Sequence, residues 1–283
     1  MKNAVTLFLL TLVLLACKQN ENLKVENIPE RKQPKTISYA IENSKIWLTE
    51  NQKDKSKMAI VLALSRTDNA NISKIDSLVI PSDFTGDLVY YLPFPLEVPY
   101  IKEVSKVLYF SYPTQTFGAY ENGNLVYTGP TNMGRKKDQT PTGLFFTNWK
   151  AEQTTSTFND EWDLKWNFNI ENKLGVGFHE YALPGYPASH SCLRLQEKDA
   201  KFLYEWANQW ELSDPETVKV KGTPVIVFGK YNFDEPKPWL QLPKNSKILN
   251  ISQAEIQEVT ASFLNTIMLE QSKRKTFENS KSE

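Results

Sequence analysis

The chain holds little of what several function classes require. Its 33 basic and 33 acidic residues cancel, and no long basic run breaks that balance, so nothing in its charge draws it to nucleic acid. Beyond the first sixteen positions, no apolar segment is long enough to cross a bilayer. Exported proteins often use cysteines in pairs, as disulfides, yet this chain has only Cys17 and Cys192. Histidine is equally scarce: His179 and His190 are the only two, and both lie close to Cys192. Apolar residues are not scarce. They make up 40% of 283 positions, enough for one large domain or two small ones. Seven tryptophans and twelve tyrosines suit amphipathic ligands, although aromatics more often fill cores.

The N-terminus reads as an export signal. Lys2 supplies a positive start, and Ala4 to Leu15 form an apolar run too short to span a membrane comfortably. The run ends in Leu14-Leu15-Ala16-Cys17, which resembles a bacterial lipobox. On that reading residues 1–16 are a lipoprotein signal peptide. Cys17 becomes the acylated first mature residue, and several acyl chains together anchor firmly where one would be marginal. Lys18 follows in place of an aspartate retention signal. The expectation is a cell-envelope protein, lipid-anchored at the periplasmic face of the outer membrane.

If Cys17 carries lipid, Cys192 is left as an unpaired thiol in an oxidising compartment, a hazard unless it does chemistry. A thiol becomes a strong nucleophile on deprotonation, and imidazole is the side chain best suited to accept that proton near neutral pH. The stretch from Phe178 to Leu195 places His179, His190 and Cys192 around the turn-forming Pro184-Gly185-Tyr186-Pro187. The same three residues, with Glu180, are also conceivable zinc ligands. Structural zinc sites usually bring cysteine pairs, and catalytic ones rarely combine these ligands at this spacing, so no metal is expected.

Composition divides the rest. Residues 17–37 are polar and read as a tether. Residues 38–104 form an N-terminal lobe: Ala59 to Leu64 is a buried helix or strand, Asp76 to Pro81 follows it, and Pro93, Pro95 and Pro99 keep the remainder irregular. Strand patterns then take over at Lys106 to Ser111. Thr116–Tyr120 and Leu125–Thr128 flank Asn122-Gly123, a strong hairpin signal. Residues 150–161 read as a polar loop, Trp162 to Ile170 as a half-exposed strand, and Gly175 to His179 as a short strand ending in the first histidine. Glu197 to Trp210 carries Ala200, Leu203, Tyr204 and Ala207 at helical spacing. The closing strands lie within Val218 to Phe228. In the C-terminal extension, 231–283, Ser252-Gln253-Ala254-Glu255 resembles a capping box opening a helix over 252–271, with a frayed tail beyond.

Several of these features carry a family resemblance. Ser189-His190-Ser191-Cys192-Leu193-Arg194 resembles the Ser-His-Gly-Cys-Ile-Arg signature of the YkuD-type L,D-transpeptidases. The turn Tyr120-Glu121-Asn122-Gly123 and the later Thr140-Pro141-Thr142-Gly143 resemble the opening of the same domain. The resemblance spans roughly residues 105–230. It implies a mainly β catalytic domain, a sandwich or barrel, here with a small α+β N-terminal lobe and a C-terminal helix. The lobe itself faintly resembles a LysM glycan-binding module without its usual glycines; the alternative is a lobe particular to this family, packed on the catalytic domain.

The resemblance also implies an activity: 3-3 cross-linking of peptidoglycan tetrapeptide stems through a cysteine thioester, without a cofactor. Cys192 would be the nucleophile and His179 the base. Ser191, His190, Ser189 and Arg194 would orient the reaction or stabilise its oxyanion, and Tyr181 and Tyr186 would wall the donor groove. Two alternatives share the motif: an L,D-carboxypeptidase passing the thioester to water, and a non-catalytic wall-binding lipoprotein. A papain-like peptidase fits less well, because its cysteine would precede its histidine. The chain departs from the family pattern in three places. Ser191 replaces a glycine, Glu180 stands where glycine is common, and the spacer 180–188 is short. Serine at Ser191 costs roughly 1 kcal/mol if its φ is positive.

Overall fold

Asn122 and Gly123 take φ values of 47° and 79°, the paired left-handed conformation of a two-residue hairpin turn whose twist matches its flanking strands. That turn joins β4 (Thr116–Glu121) to β5 (Asn124–Pro130). The structure, a computed structural model, describes residues 30–155 and 163–282. The expected signal peptide, Cys17, most of the tether and Trp162 lie outside the described residues.

The N-terminal lobe runs β1 (Tyr39–Asn43), α1 (Ser44–Asn51), α2 (Lys55–Leu64) and β2 (Ser77–Pro81), with β1 and β2 antiparallel. Asn43 and Asp54 start the two helices, each side chain accepting two backbone N–H groups of the first turn. The apolar run ending at Leu64 is therefore helical, not extended. It is apolar nearly all round because it is covered on two sides. Val61 and Leu62 pack against Trp47 and Leu78, while Ile60 and Leu64 pack with Trp239 and Leu242 of the C-terminal extension.

The region from residue 105 onward adds β3 (Val107–Ser111), β6 (Gly143–Phe146), β7 (Lys150–Thr155), β8 (Asp163–Glu171), β9 (Val176–Glu180) and β10 (Leu193–Leu195). The helix α3 (Glu197–Trp206) follows, then β11 (Glu211–Asp214), β12 (Thr217–Val220) and β13 (Pro224–Phe228). Two sheets carry the architecture, in the orders β5-β4-β3-β13-β6 and β10-β9-β8-β7. Neither closes into a barrel. Within them β13 runs parallel to β3 and β9 parallel to β10; the other neighbours are antiparallel.

Side-chain alternation divides the first sheet's faces. Leu108, Phe110, Phe117 and Val225 face inward against Phe168, Phe178, Leu193 and Leu195 of the second sheet and Ala200 and Leu203 of α3. Val107, Tyr109, Tyr120 and Ile226 face the other way, where α4 (Gln253–Ala261) and α5 (Leu264–Ser282) cover them through Ile256 and Ile267. The fold is thus mainly β, with an α+β lobe at one end and helices at the other.

Three local expectations need correction. The polar stretch from 150 is a strand, β7, paired with β8 at the edge of its sheet. Its burial pattern is largely exposed, so it needs no apolar alternation, and ladder hydrogen bonds hold it. The helix expected over 197–210 stops at Trp206. The single C-terminal helix is two, and the tail past Ser272 stays helical instead of fraying. Polar anchors substitute for an apolar stripe there. Gln271 Oε1 accepts from Ser105 N–H at 2.7 Å, and Arg274 donates to Lys221 O at 2.8 Å and Gln209 O at 2.6 Å.

Candidate active site

The parallel pairing of β9 with β10 builds the site. Leu193 lies opposite Phe178 and Arg194 opposite His179. Since Leu193 and Phe178 both enter the core, alternation turns Arg194 and His179 to the opposite face of the sheet. Cys192 immediately precedes this strand pair. Its thiol donates to Gly175 O at 3.7 Å and receives the Gly177 amide. Among the described residues no hydrogen bond joins the thiol to the His179 ring.

His179 is buried, and its Nδ1 lies 2.8 Å from Glu180 O. The carbonyl can only accept, so Nδ1 carries the hydrogen and the neutral ring keeps a lone pair on Nε2. Burial drives the His179 pKa down to about 4, opposed by the Glu180 carbonyl and reinforced by the Arg194 charge. Burial likewise pushes the Cys192 thiol above its ordinary value, against the Gly177 amide and Arg194, which favour thiolate. At neutral pH the pair is therefore thiol and imidazole, not thiolate and imidazolium.

Ser191 has φ 87°, a left-handed backbone, so the strain cost stated for a positive φ at this position applies. Neither the Ser191 nor the Cys192 N–H has a hydrogen-bond partner among the described residues. Ser189, fully buried, closes the turn: its Oγ donates to Cys192 O at 2.6 Å, and its N–H donates to Met133 O at 3.1 Å. Ser191→Gly is expected to relieve the strained φ and stabilise the protein by roughly 1 kcal/mol. Thermal unfolding would read this as a rise of about 2–4 °C; an unchanged or lower midpoint would show the turn unstrained.

His190 sits among the charges of Arg135, Asp138, Arg194 and Lys137, and its pKa is lowered first by burial and then by Arg135. The Arg194 guanidinium lies over the Tyr181 ring at 4.5 Å, and Tyr181 meets His179 edge-on at 5.9 Å between centroids. The three side chains thus touch in series, Arg194 on the face of Tyr181 and His179 edge-on to it. Tyr186 is half exposed, with Lys237 Nζ 5.6 Å from its ring. A cleft of about 690 Å³ separates Met58, Leu62 and Asp68 of the N-terminal lobe from Glu180, Tyr181 and Ala182.

Asn132 was not legible in the sequence. Its side chain donates to Tyr186 O at 2.5 Å and accepts from Ala188 N–H at 3.1 Å, while its backbone exchanges two hydrogen bonds with Arg194. No motif marks it; only its position just after β5 places it beside the loop. Among the described residues no group of three or more histidine, cysteine or acidic side chains is arranged to hold a metal ion.

Residues 105–227 match the model of the L,D-transpeptidase catalytic domain, YkuD. Similar solved structures include an L,D-transpeptidase of Stackebrandtia nassauensis, 24% identical over 45% of this chain and 57% of that one, with a TM-score of 0.37. An L,D-transpeptidase of Mycobacterium smegmatis is 19% identical over 44% of this chain and 59% of that one, with a TM-score of 0.35. L,D-transpeptidase 3 of Mycobacterium tuberculosis, in complex with a faropenem-derived adduct, is 22% identical over 44% and 60%, with a TM-score of 0.35. The chain spans less than two thirds of the length of each. No curated protein matches it. Residues 105–227 are thus the part of the chain similar to the YkuD L,D-transpeptidase catalytic domain.

Proposed function

We propose that this protein is a peptidoglycan L,D-transpeptidase that forms 3-3 cross-links from tetrapeptide stems through a thioester on Cys192. As the thiol leaves Gly175 O and turns toward His179, Nε2 takes its proton and the sulfur attacks the carbonyl of the third stem residue. The resulting oxyanion is met by the Ser191 and Cys192 amides. The bond to the terminal D-amino acid then breaks, and His179 returns its proton to the departing amine. The amine of a second stem attacks the thioester, passes its proton to the base, and releases Cys192 as thiol.

The observation that carries this reading is the pairing of β10 with β9. The pairing puts Arg194 opposite His179, whose ring is held through Nδ1 by the Glu180 carbonyl, and Cys192 directly before that strand, its N–H and that of Ser191 without a partner among the described residues. Incubating the protein with disaccharide-tetrapeptides and weighing the products tests it. Cross-linked dimers are expected. Tripeptides alone would make the protein an L,D-carboxypeptidase, and unchanged tetrapeptides would make it a wall-binding protein.

The same reading includes a lipid anchor on Cys17, supported by Leu14-Leu15-Ala16-Cys17, which would hold the catalytic region at the periplasmic face of the outer membrane. Cys17→Ala is expected to lose all incorporation of labelled palmitate. Normal labelling of that variant would refute the anchor.

A further inference from the structure

The loop between α2 and β2 belongs to the N-terminal lobe, yet it reaches the segment joining His179 to Ser189. Thr67 Oγ1 donates to Leu183 O at 3.0 Å, and Leu183 N–H donates to Asp68 Oδ2 at 2.6 Å. Both backbone groups of Leu183 are thus held by consecutive lobe side chains, and Thr67 bridges Pro184 as a strand would. Gln196 Nε2, beyond the nucleophile, donates to Thr67 O at 3.1 Å. Gly185, at φ 80°, sits where a side chain would meet Ile75 of the lobe at 3.3 Å.

The gripping loop is itself anchored. Arg66, fully buried at φ 56°, donates to Ala63 O, Leu64 O and Thr114 O and lies over the Trp239 ring. Asp68 Oδ1 meanwhile accepts from the Ala70 and Asn71 amides, closing its own turn. On the far side, Asn132 holds Tyr186 and Ala188. The segment carrying Tyr181 and Tyr186 is therefore clamped between the lobe and the catalytic region.

We propose that Asp68 and Thr67 are positioning residues of the active site: from the N-terminal lobe they set the 181–187 loop, and through it donor capture, without touching the reacting atoms. The inference rests on the transpeptidase reading for its substrate, but the clamp is measurable without it. Neither residue contacts Cys192 or His179. Loosening the loop consequently raises the donor concentration needed for half-maximal rate and leaves the chemical step near its wild-type value.

Two nearly isosteric variants test this on the full chain. In Asp68→Asn, Oδ1 can still close its own turn and keep the Asn71 side-chain amide, while an amide N–H₂ faces the Leu183 N–H, and the Asn71 Nδ2 that also donates to Oδ2 at 2.9 Å, in place of an acceptor. Thr67→Val removes only the hydroxyl. For each, hydrogen exchange of the 183–188 amides is expected to quicken at least tenfold, and KM for tetrapeptide donor to rise by about tenfold, with kcat within about threefold. Alkylation of Cys192 by iodoacetamide should stay unchanged, since the thiol and its base are untouched.

Unchanged exchange in both variants would overturn the clamp. Faster exchange with an unaltered KM would overturn its role in donor capture. A parallel fall in kcat and alkylation would also overturn it, by marking general destabilisation. If wild-type protein consumes no donor, the transpeptidase reading fails instead, and the exchange result still reports on the clamp.

Discussion

Replacing Cys192 by alanine is expected to abolish covalent capture of both a tetrapeptide donor and a carbapenem-type β-lactam. Intact-mass measurement reads this directly: wild type gains the acyl group, and Cys192→Ala stays at its own mass. The physical case is the absence of a second thiol. No other cysteine lies among the described residues, and the Ser189 hydroxyl is committed to Cys192 O. A strained β-lactam ring offers a thiolate an acyl group that does not depart, so wild-type adduct should persist. Turnover of tetrapeptide should fall on the order of 10⁴-fold or more, the scale on which removing a nucleophile acts. The change removes one buried sulfur, and the surrounding β9–β10 pairing is made by backbone, so the variant should remain folded. An adduct of the same mass on Cys192→Ala would place the nucleophile elsewhere and sink the mechanism.

What the sequence disclosed was local. Asn122-Gly123 encodes a turn because only certain residues tolerate paired positive φ values, and the hairpin it predicts is present. Ser252 opens α4 with its hydroxyl on the Glu255 N–H because that bond spans three residues. Serine in place of a family glycine at 191 marked a position to check for positive φ, and φ is 87°. What stayed hidden depends on partners distant in the chain. β7 is polar on both sides and becomes a strand only because β8 offers it a ladder. Asn132 acts on Tyr186 and Ala188, and Thr67 on Leu183 across more than a hundred residues. Such contacts follow from topology, which periodicity does not encode. The histidine, serine and cysteine of the signature stood out for the opposite reason: the chemistry proposed for them needs particular side chains, so residue type alone marks them as candidates.

The second large effect separates the two histidines. His179→Ala is expected to slow acylation by roughly 10²–10⁴-fold, the usual loss on removing a general base. Its pH dependence follows from the two perturbed groups. Burial holds His179 neutral down to about pH 4, so wild-type acylation should not lose its base between pH 8 and pH 5 and should decline only as pH approaches 4. Burial also raises the thiol pKa, so little thiolate exists at neutral pH and the proton must leave during attack. Without His179 the reaction depends on thiolate already present, and that fraction rises tenfold per pH unit below the thiol pKa. The variant's rate should therefore climb with a slope near one in log rate against pH, narrowing the gap to wild type under alkaline conditions. His190→Ala should behave differently. That ring lies among Arg135, Asp138, Arg194 and Lys137, so its loss should weaken donor capture or shorten the thioester's life. Alkylation of Cys192 by a small reagent should persist at its wild-type rate. Stopped-flow acylation by a carbapenem, beside iodoacetamide alkylation, measures all three proteins across pH 5–9. If His190→Ala removes the neutral-pH reactivity of the thiol while His179→Ala leaves it intact, the base is His190, and the Glu180 carbonyl orients a ring that serves only packing.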